Sequence, residues 1–441
     1  MLVKGLRQGQ DDGRYLVLGV DLLGQLDGVT CSPFGAVPKG NVDLTVIARI
    51  IHDLSYPVTE SVNDHSAKVS NVLVSYDGTL ALVSRIIEVE AEDHGKANMM
   101  TGDVARAFRN VPLAASAVGR FAGSVPELEI MVIDLVCPFG WTNSPAYYWV
   151  AGAAIKHIYA STLPDKQQTS SRPPIPFDSK AWWDDQILIE PDVGTRLVDA
   201  NISIRAAMVG VLGPNACNEE KFSRWFRVGR ALGLLWNLDK MTLSIPPEKI
   251  EKARQRIRSM LVSPTTTRRR LNELLRSLRH VATCIPAAKA FFQRITTLAK
   301  RTPRFASVRV STEAKEDFKW FCAVLYQSKL NAVPLSRFAQ TEVPNWHVFM
   351  NASDFGLCCL LPARNEFIQV EFSALEKARI AKSKTDDSVE FEISLMRVDE
   401  RCFRRRAVAL TYRASRGSVW TMWMLMPLSS VRTVCTYRSL E

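Results

Sequence analysis

The sequence contains no signature of a disulfide-rich secreted protein or of a membrane protein. Its nine cysteines include no Cys-x-x-Cys pair, which indicates neither a disulfide framework nor a zinc knuckle and fits a reducing compartment. No stretch reaches the roughly 18 apolar residues of a membrane span. The opening MLVKGLRQGQDDGRY lacks the basic start and apolar run of a signal peptide. We therefore expect an intracellular protein, cytoplasmic or nuclear, with no membrane partner.

Internal repeats, a P-loop and a dinucleotide-binding fingerprint are also absent, which argues against a repeat array or a separate NTP-binding enzyme. The 441 residues are 47% hydrophobic, enough for two to four globular domains. The net charge is +11, so an acidic polymer is a plausible partner. Residues 249–310 alone hold 16 Lys and Arg against two acids, a net charge of +14. Their leucines recur at helical spacing, so this basic segment is either a solvated helical surface or a phosphate-binding one.

Two adjacent aspartates, in the stretch AWWDDQILIE, raise the main chemical question of the sequence. Burying Asp184 and Asp185 together is costly unless a cation compensates their charge. Alternating apolar residues after them predict a strand hairpin with both carboxylates at its turn. Asp103 ends another predicted strand, NMMTG, and could complete the cluster. Hard carboxylate oxygens suit Mg²⁺, and two such ions can activate a hydroxyl and neutralise a leaving pyrophosphate.

Several motifs occur in the order and spacing of the reverse transcriptase family, particularly the retroelement enzymes. SPFGAVPKGN…ARIIHDLSYP resembles the fingers segment, DVARAF the first catalytic palm motif, and PFGWTNSPAYY the motif that positions template and nucleotide. WWDD stands where the family has an aromatic-x-Asp-Asp box, and NEEKF and LGLLWN resemble the next two palm motifs. The similarity covers roughly residues 31–300. It implies an α+β, right-hand polymerase fold with fingers, palm and thumb, which uses dNTPs and a primed RNA or DNA template.

The resemblance also assigns roles to individual residues. Asp103, Asp184 and Asp185 would hold two Mg²⁺ ions, with Mn²⁺ as an alternative, and Lys221 would protonate the leaving pyrophosphate. Phe108 would be the steric gate against a ribose 2′-hydroxyl, although a plain core role is equally open. The other assigned residues would bind the triphosphate or approach the nascent base pair: Lys39, Arg49, Gly140, Ser144 and Pro145. From the residues alone, we also expect Ser144 to cap a helix that begins with Pro145.

The basic helices would form the thumb, which grips the nucleic acid backbone. The candidate contacts are Arg268, Arg269, Arg270, Arg276, Arg279, Lys289 and Arg294. The expected divisions are an N-terminal tail (1–30), fingers and palm (31–248), thumb (249–310), connection (311–344), a degenerate ribonuclease H-like α/β region (345–400) and an irregular basic tail (401–441).

The ribonuclease H-like region departs from its family at the catalytic positions. The first catalytic aspartate falls on Asn351, with Asp354 nearby but out of register. The next carboxylate position falls near Arg397, with Glu392 as a less natural alternative. We therefore expect the strands of this region to survive without ribonuclease H activity.

The palm departs from its family at Trp183, which stands where a small or medium aliphatic residue is usual. Three hypotheses remain open on the sequence: an RNA-directed DNA polymerase, an inactive polymerase-like remnant that only binds nucleic acid, and a metal-dependent nuclease. The ordered fingers and palm motifs disfavour the nuclease, because a nuclease needs no Lys39, Arg49 or Phe108. The oligomeric state is not indicated.

Overall fold

The computed structural model describes most of the chain up to residue 338 and parts of the remainder. The described residues are 2–38, 48–162, 175–285, 288, 291–303, 305–326, 331–338, 349–352, 354–362, 365–385, 407–413 and 419–425. They form two compact units. The first comprises Met1–Leu232 with Trp236–Lys240, and the second comprises Gly233–Leu235 with Met241–Glu441.

Helices and strands are mixed throughout, as the sequence predicts. Up to residue 237 they are α1 (Leu2–Asp11), β1 (Tyr15–Gly19), β2 (Phe34–Pro38), β3 (Ala48–His52), α2 (Thr79–Glu92), β4 (Ala97–Asp103), β5 (Ala122–Val125), β6 (Ile130–Asp134), α3 (Ser144–Ser161), β7 (Lys180–Trp182), β8 (Asp185–Pro191), α4 (Arg196–Leu212), β9 (Val228–Ala231) and β10 (Leu234–Asn237).

The first unit is built around a three-stranded antiparallel sheet with the order β4-β8-β7. Its apolar strand residues are buried, and one face packs against α3 and α4 through Met100, Leu188, Tyr148 and Ile204. Strand side chains alternate between faces, so the seven paired positions of β4 and β8 fix which residues meet at the sheet end. The last residue of β4 and the first residue of β8 therefore lie side by side at one end of the sheet.

A second sheet, β1-β6-β5, corrects the expectation that residues 1–30 are a weakly patterned tail. Residues 15–19 pair with residues 130–134, and Leu6 of α1 is buried against Val132 and Val125. The sequence did not reveal this because a lone five-residue strand becomes stable only through its distant partner.

The boundaries of α3 and α4 differ in how far local sequence determines them. Gly213 follows the last residue of α4, with a φ of +89° that suits glycine. Ser144 is not the cap of α3: the helix begins at Ser144 itself, and its hydroxyl donates to the carbonyl of Pro138 at 2.8 Å. The cap position is occupied by Asn143, so Ser144 lies one residue inside the helix.

Residues 241–338 are largely helical, and the leucine spacing predicts this for residues 249–310. The elements from there to the C-terminus are β11 (Thr242–Ser244), α5 (Pro247–Val262), β12 (Thr265–Thr267), α6 (Arg268–Val281), α7 (Gln293–Arg301), β13 (Ser307–Arg309), α8 (Thr312–Tyr326), β14 (Val333–Pro334), β15 (Phe349–Ala352), β16 (Gly356–Leu361), β17 (Glu366–Glu371), α9 (Ala374–Thr385), β18 (Ala407–Arg413) and β19 (Val419–Leu425). Leu271, Leu274, Leu275 and Leu278 are all buried, so one face of α6 is core.

The C-terminal part contains two further β structures. Strands β15, β16 and β17 form an antiparallel sheet in chain order, which agrees with the predicted strands of this region. Strands β18 and β19 pair as a hairpin, so the predicted irregular tail contains regular structure. The alternating and β-branched residues of AVALTYR and VWTMWML account for it. No helix among the described residues has the length and hydropathy needed to cross a membrane.

A buried ionic cluster anchors the far end of β8. Glu190 is fully buried and accepts hydrogen bonds from Arg196 Nε at 2.9 Å, Arg85 Nη2 at 3.3 Å and Tyr159 Oη at 3.1 Å. Both arginines are also buried. Removing one partner of such a cluster leaves uncompensated charge in the protein interior.

We predict that Glu190→Gln lowers the free energy of unfolding by about 3–5 kcal/mol, because buried Arg196 loses its counter-charge and buried Arg85 keeps only that of exposed Glu88. Urea denaturation of the full chain measures this. Glu88→Gln is the matched control, because Glu88 also pairs with Arg85 but its side chain is 53% exposed. The control should cost less than about 1 kcal/mol. Equal effects of the two substitutions would contradict the assignment.

Candidate active site

Three aspartates converge at the end of β4 and β8. Asp103, the last residue of β4, pairs directly with Asp185, the first residue of β8. Asp184 lies in the two-residue turn between β7 and β8, and its carbonyl accepts the backbone N–H of Val104 at 3.0 Å. Consecutive residues of a continuous strand would point to opposite faces, but the turn position of Asp184 relaxes that constraint. One oxygen from each carboxylate lies within 4.8 Å of the others.

The other residue of this turn, Trp183, has a left-handed backbone with a φ of +57°. This conformation is unfavourable for a bulky residue. Its ring stacks on Tyr76 at 5.0 Å between centroids and lies 6.1 Å from Phe108. Because the indole is 37% exposed, it forms part of the surface beside the aspartates.

Burial and mutual repulsion disfavour the charged forms of the aspartate pair. Desolvation, followed by the charges of Asp184 and Asp103, raises the pKa of Asp185 to about 6. Desolvation is also the main cause of the raised pKa of Asp184, with the charge of Asp103 adding to it. A site of this kind gains from any bound cation, because the cation offsets both effects.

Asp103 is held by a short turn that follows α4. Lys221 Nζ donates to Asp103 Oδ2 at 2.7 Å, and Asn218 Nδ2 donates to Asp103 Oδ1 at 2.8 Å. Burial lowers the pKa of Lys221, but the hydrogen bond and charge of Asp103 outweigh it, so the pKa is raised. Lys221 is therefore protonated at neutral pH and lies at the aspartates, as the sequence predicts.

Phe108 lies beside Trp183 in the first unit, and Gly140 follows Phe139, whose ring contacts that of Phe108. Phe108 is half-buried: its ring is 5.2 Å from that of Phe139 and 5.6 Å from that of Tyr148, and it packs on the core beneath the sheet. Gly140 has a φ of +115°, and a Cβ there would lie 2.3 Å from the carbonyl of His52. Only glycine fits that position. Pro145 lies in the first turn of α3.

The arginines of the second unit fall into two groups. Four side chains of α6 are exposed: Arg268, Arg269, Arg276 and Arg279. Three of these, with Asn272 and Glu273, line an open groove of about 720 Å³. By contrast, Arg270 donates to Ser259, and Arg294 pairs with Asp317 at 3.2 Å. The exposed group is thus better placed for phosphate contacts.

Some predicted residues are beyond what the structure describes. Lys39, Lys289, Glu392 and Arg397 lie outside the described residues, as does the proline-rich stretch 163–174. Arg49 and Asn351 are described as backbone only, Arg49 opposite Val37 and Asn351 opposite Cys358. Their roles remain predictions.

The structure also brings residues to the site that sequence reasoning missed. Tyr148 is fully buried, its hydroxyl has no hydrogen-bond partner among the described residues, and its pKa is raised by burial and then by the charge of Asp184. The Tyr76 hydroxyl and the side-chain amide of Gln186, next to Asp185, are also buried and unpartnered in the described part of the chain. Gln186 carried a sequence signal, as a polar residue within an apolar strand. Asn218 and Tyr76 carried none.

The donor set fits a divalent cation of the Mg²⁺ class. Within the described residues, these three carboxylates are the one group of at least three candidate ligands close enough to share an ion. All three are hard oxygen donors, as Mg²⁺ requires. The raised pKa values of Asp184 and Asp185 are what a cation would relieve.

Comparisons with known proteins give structural similarity alone. No protein-family model and no curated protein sequence matches the chain. Among solved structures, it is similar to a foamy viral protease-reverse transcriptase in complex with an RNA/DNA hybrid, with a TM-score of 0.47, 13% identity and coverage of 83% of this chain and 44% of that one. A second structure, of the foamy viral protease-reverse transcriptase dRH in complex with double-stranded DNA, has a TM-score of 0.47 and 12% identity. That match covers 83% of this chain and 59% of the other. The chain thus spans about half the length of these proteins, and similarity at this level assigns no function.

We predict that Asp185→Asn stabilises the protein at pH 7 and not at pH 4. In the folded chain the pKa of Asp185 is about 6 against an ordinary 3.8, so the folded state binds the proton more tightly. The carboxylate therefore costs stability above pH 6, and the cost disappears as the pH falls towards 3.8. The expected gain at pH 7 is about 1–2 kcal/mol, reduced from the full linkage value by partial exposure to water.

Thermal melts in EDTA at both pH values measure this gain. Asp192→Asn, an exposed aspartate one residue beyond β8, is the control and should change little. An Asp185→Asn protein that is less stable than the parent at pH 7 would show that the three carboxylates do not repel one another.

Proposed function

We propose that the chain is an RNA-directed DNA polymerase of the retroelement kind, which transfers a nucleotide from a dNTP to a primer 3′-hydroxyl. The observation that carries this proposal is the convergence of Asp103, Asp184 and Asp185 within 4.8 Å, with Lys221 bonded to Asp103. The order of the surrounding motifs in the sequence supports a polymerase rather than another use of a metal site.

Asp103, Asp184 and Asp185 would hold the divalent cations. When bound, Mg²⁺ supplies charge that stabilises the attacking oxygen and the leaving pyrophosphate. The strand pairing of Asp103 with Asp185 sets where the carboxylates lie relative to each other. Lys221, protonated and 57% exposed, can give its proton to the leaving pyrophosphate.

Phe108 and Gly140 support a nucleotide site beside the aspartates. The half-buried Phe108 ring, which contacts Phe139 and Tyr148, would exclude a ribose 2′-hydroxyl. Gly140 brings bare backbone to the surface, where a base pair can approach closely. Lys39 and Arg49 are proposed to bind the triphosphate, from their motif positions alone.

An inactive remnant that only binds nucleic acid is the second candidate, and Trp183 favours it. The indole lies between Tyr76 and Phe108, beside the aspartates, where the family has a smaller side chain. A nuclease is less well supported, because Phe108 and Gly140 have no role in hydrolysis. For the C-terminal sheet we propose no hydrolytic activity, since Asn351 offers a neutral carbonyl where a carboxylate is needed.

We predict that Asp184→Asn reduces primer extension on poly(rA)/oligo(dT) by at least about a thousandfold, because a metal-binding carboxylate is lost. Binding of the primer-template, measured by fluorescence anisotropy, should change less than about twofold, since the substitution removes no positively charged group that could contact phosphate. Asp192→Asn again serves as the control and should extend normally. Extension by Asp184→Asn at the parental rate would refute the catalytic assignment. A parent chain that binds tightly yet extends with neither Mg²⁺ nor Mn²⁺ would favour the remnant.

We predict that Arg276→Gln weakens primer-template binding and lowers the log–log salt slope by roughly 0.9, the value for one lost phosphate contact on B-form DNA. Anisotropy titrations at several salt concentrations give this slope. Arg294→Gln is the comparison: its partner is Asp317, so it should lower the melting temperature and leave the slope almost unchanged. The opposite result, with Arg294 controlling the slope, would move the nucleic acid surface away from α6.

A further inference from the structure

We infer that the turn of residues 218–222 fixes the Asp103 carboxylate in its metal-binding orientation, with Asn218 as the positioning residue. This inference rests on the proposed metal site and deepens it. Asn218 contacts Asp103 twice: its backbone N–H donates to the Asp103 carbonyl at 3.0 Å, and its side-chain amide donates to Oδ1 at 2.8 Å. Lys221 bonds the other oxygen, Oδ2. Both oxygens of a carboxylate that is 2% exposed are therefore held by one short segment.

The turn is itself tied to β4. The Lys221 N–H donates to the Asn218 carbonyl at 2.9 Å, which closes the turn. Just beyond it, Ser223 and Thr101 exchange two bonds of 2.9 Å, one from the Ser223 N–H to the Thr101 carbonyl and one from the Thr101 N–H to the Ser223 hydroxyl. The Phe222 ring packs on Gly102, where an added Cβ would lie 2.7 Å from it. The turn thus cannot shift without disturbing the strand that carries Asp103.

A second tie comes from α4. Arg205 donates to both carboxylate oxygens of Glu219, with Nη2 at 2.8 Å and Nε at 3.0 Å from them. The same guanidinium lies over the Phe222 ring, 3.8 Å from its centroid. The Arg205 guanidinium is planar, so stacking on Phe222 together with bidentate hydrogen bonds to Glu219 fixes its orientation. Glu219 and Phe222 flank Lys221, so Arg205 sets the position of the whole turn without touching Asp103.

The two donors to Asp103 have different physical effects. The Asn218 amide is neutral, so it restricts rotation of the carboxylate without opposing the charge of a cation. The Lys221 ammonium also restricts rotation, but its positive charge disfavours a second cation nearby. Loss of Asn218 should therefore weaken metal binding, whereas loss of the Lys221 charge should not. If the turn only supported the fold, both the loss of Asn218 and the loss of the Lys221 charge would weaken metal binding.

The test is titration of the full chain with Mn²⁺ alone, with free Mn²⁺ followed by electron paramagnetic resonance. Asn218→Leu, which keeps the approximate volume and removes the donor, should weaken Mn²⁺ binding about tenfold, the lower end of the range for outer-shell partners. Asn218→Gln, which restores a donor, should recover most of this loss. Lys221→Met should bind Mn²⁺ at least as tightly as the parent. An unchanged affinity in Asn218→Leu, or an equal loss in Lys221→Met, would overturn the inference.

Glu219→Gln keeps the inference testable if Asn218→Leu fails to fold. The Glu219 side chain is 62% exposed, so its replacement should leave the melting temperature within a few degrees. The substitution weakens the contact between Arg205 and the 218–222 turn. It should therefore weaken Mn²⁺ binding by roughly threefold, less than the loss of Asn218, which contacts Asp103 directly. Parental affinity in this variant would contradict the anchoring role of Arg205.

Primer extension separates this inference from the proposed function. If the parent extends primers, Asn218→Leu should lower kcat, with the KM for dNTP within about twofold, and higher Mn²⁺ should restore part of the rate. If the parent binds Mn²⁺ but does not extend, the polymerase proposal fails while the Mn²⁺ titrations still decide the role of Asn218. Loss of Mn²⁺ binding in Asp184→Asn would show that the ion measured is the one at the aspartates, and retention would refute that placement.

Discussion

The antiparallel register between β4 and β8 is the constraint on which the candidate site depends. It sets Asp103 opposite Asp185, so two carboxylates face each other at the end of a buried sheet. A slip of one residue would send one of them to the opposite face. The buried apolar residues of both strands oppose such a slip, because it would turn Met100 or Leu188 away from the face that α3 and α4 cover. Core packing thus holds together charges that repel each other.

That arrangement has a stability cost, and the cost is local. The raised pKa values of Asp184 and Asp185, the left-handed backbone of Trp183 and the Tyr148 hydroxyl, which has no partner among the described residues, all lie at one end of the sheet. The other end of β8 shows the opposite arrangement, since buried Glu190 has three hydrogen-bond donors. Raised carboxylate pKa values beside a strained backbone are a combination that functional sites commonly show.

The sequence predicted the aspartate cluster but not the residues around it. Asp103, Asp184 and Asp185 could be found because strand patterns and turn positions are local features of the sequence. The helix α6 was predicted for the same reason, from the spacing of its leucines. Strand β1 was missed because its partner lies more than 100 residues away, and the hairpin of β18 and β19 because basic residues obscured its alternation. Ser144 was misassigned as a cap because the sequence does not place a helix boundary to within one residue. Asn218 could not be found, since nothing in NEEKF reveals that its first residue reaches Asp103 rather than solvent.

Two sets of contacts orient the three carboxylates. Asp184 and Asp185 are set by a hairpin turn within one sheet, whereas the Asp103 side chain is also held from outside the sheet by a segment that Arg205 joins to α4. A movement of α4 would reach the Asp103 carboxylate through Arg205 and the 218–222 turn, but it would reach Asp184 and Asp185 only through β8, on which α4 packs. The orientation of the Asp103 side chain is thus what the 218–222 turn adjusts, because the strand register fixes the Asp103 backbone opposite Asp185. Metal binding at the aspartates should consequently be more sensitive to substitutions on the Arg205 side of α4 than to substitutions of equal size in the exposed part of β7.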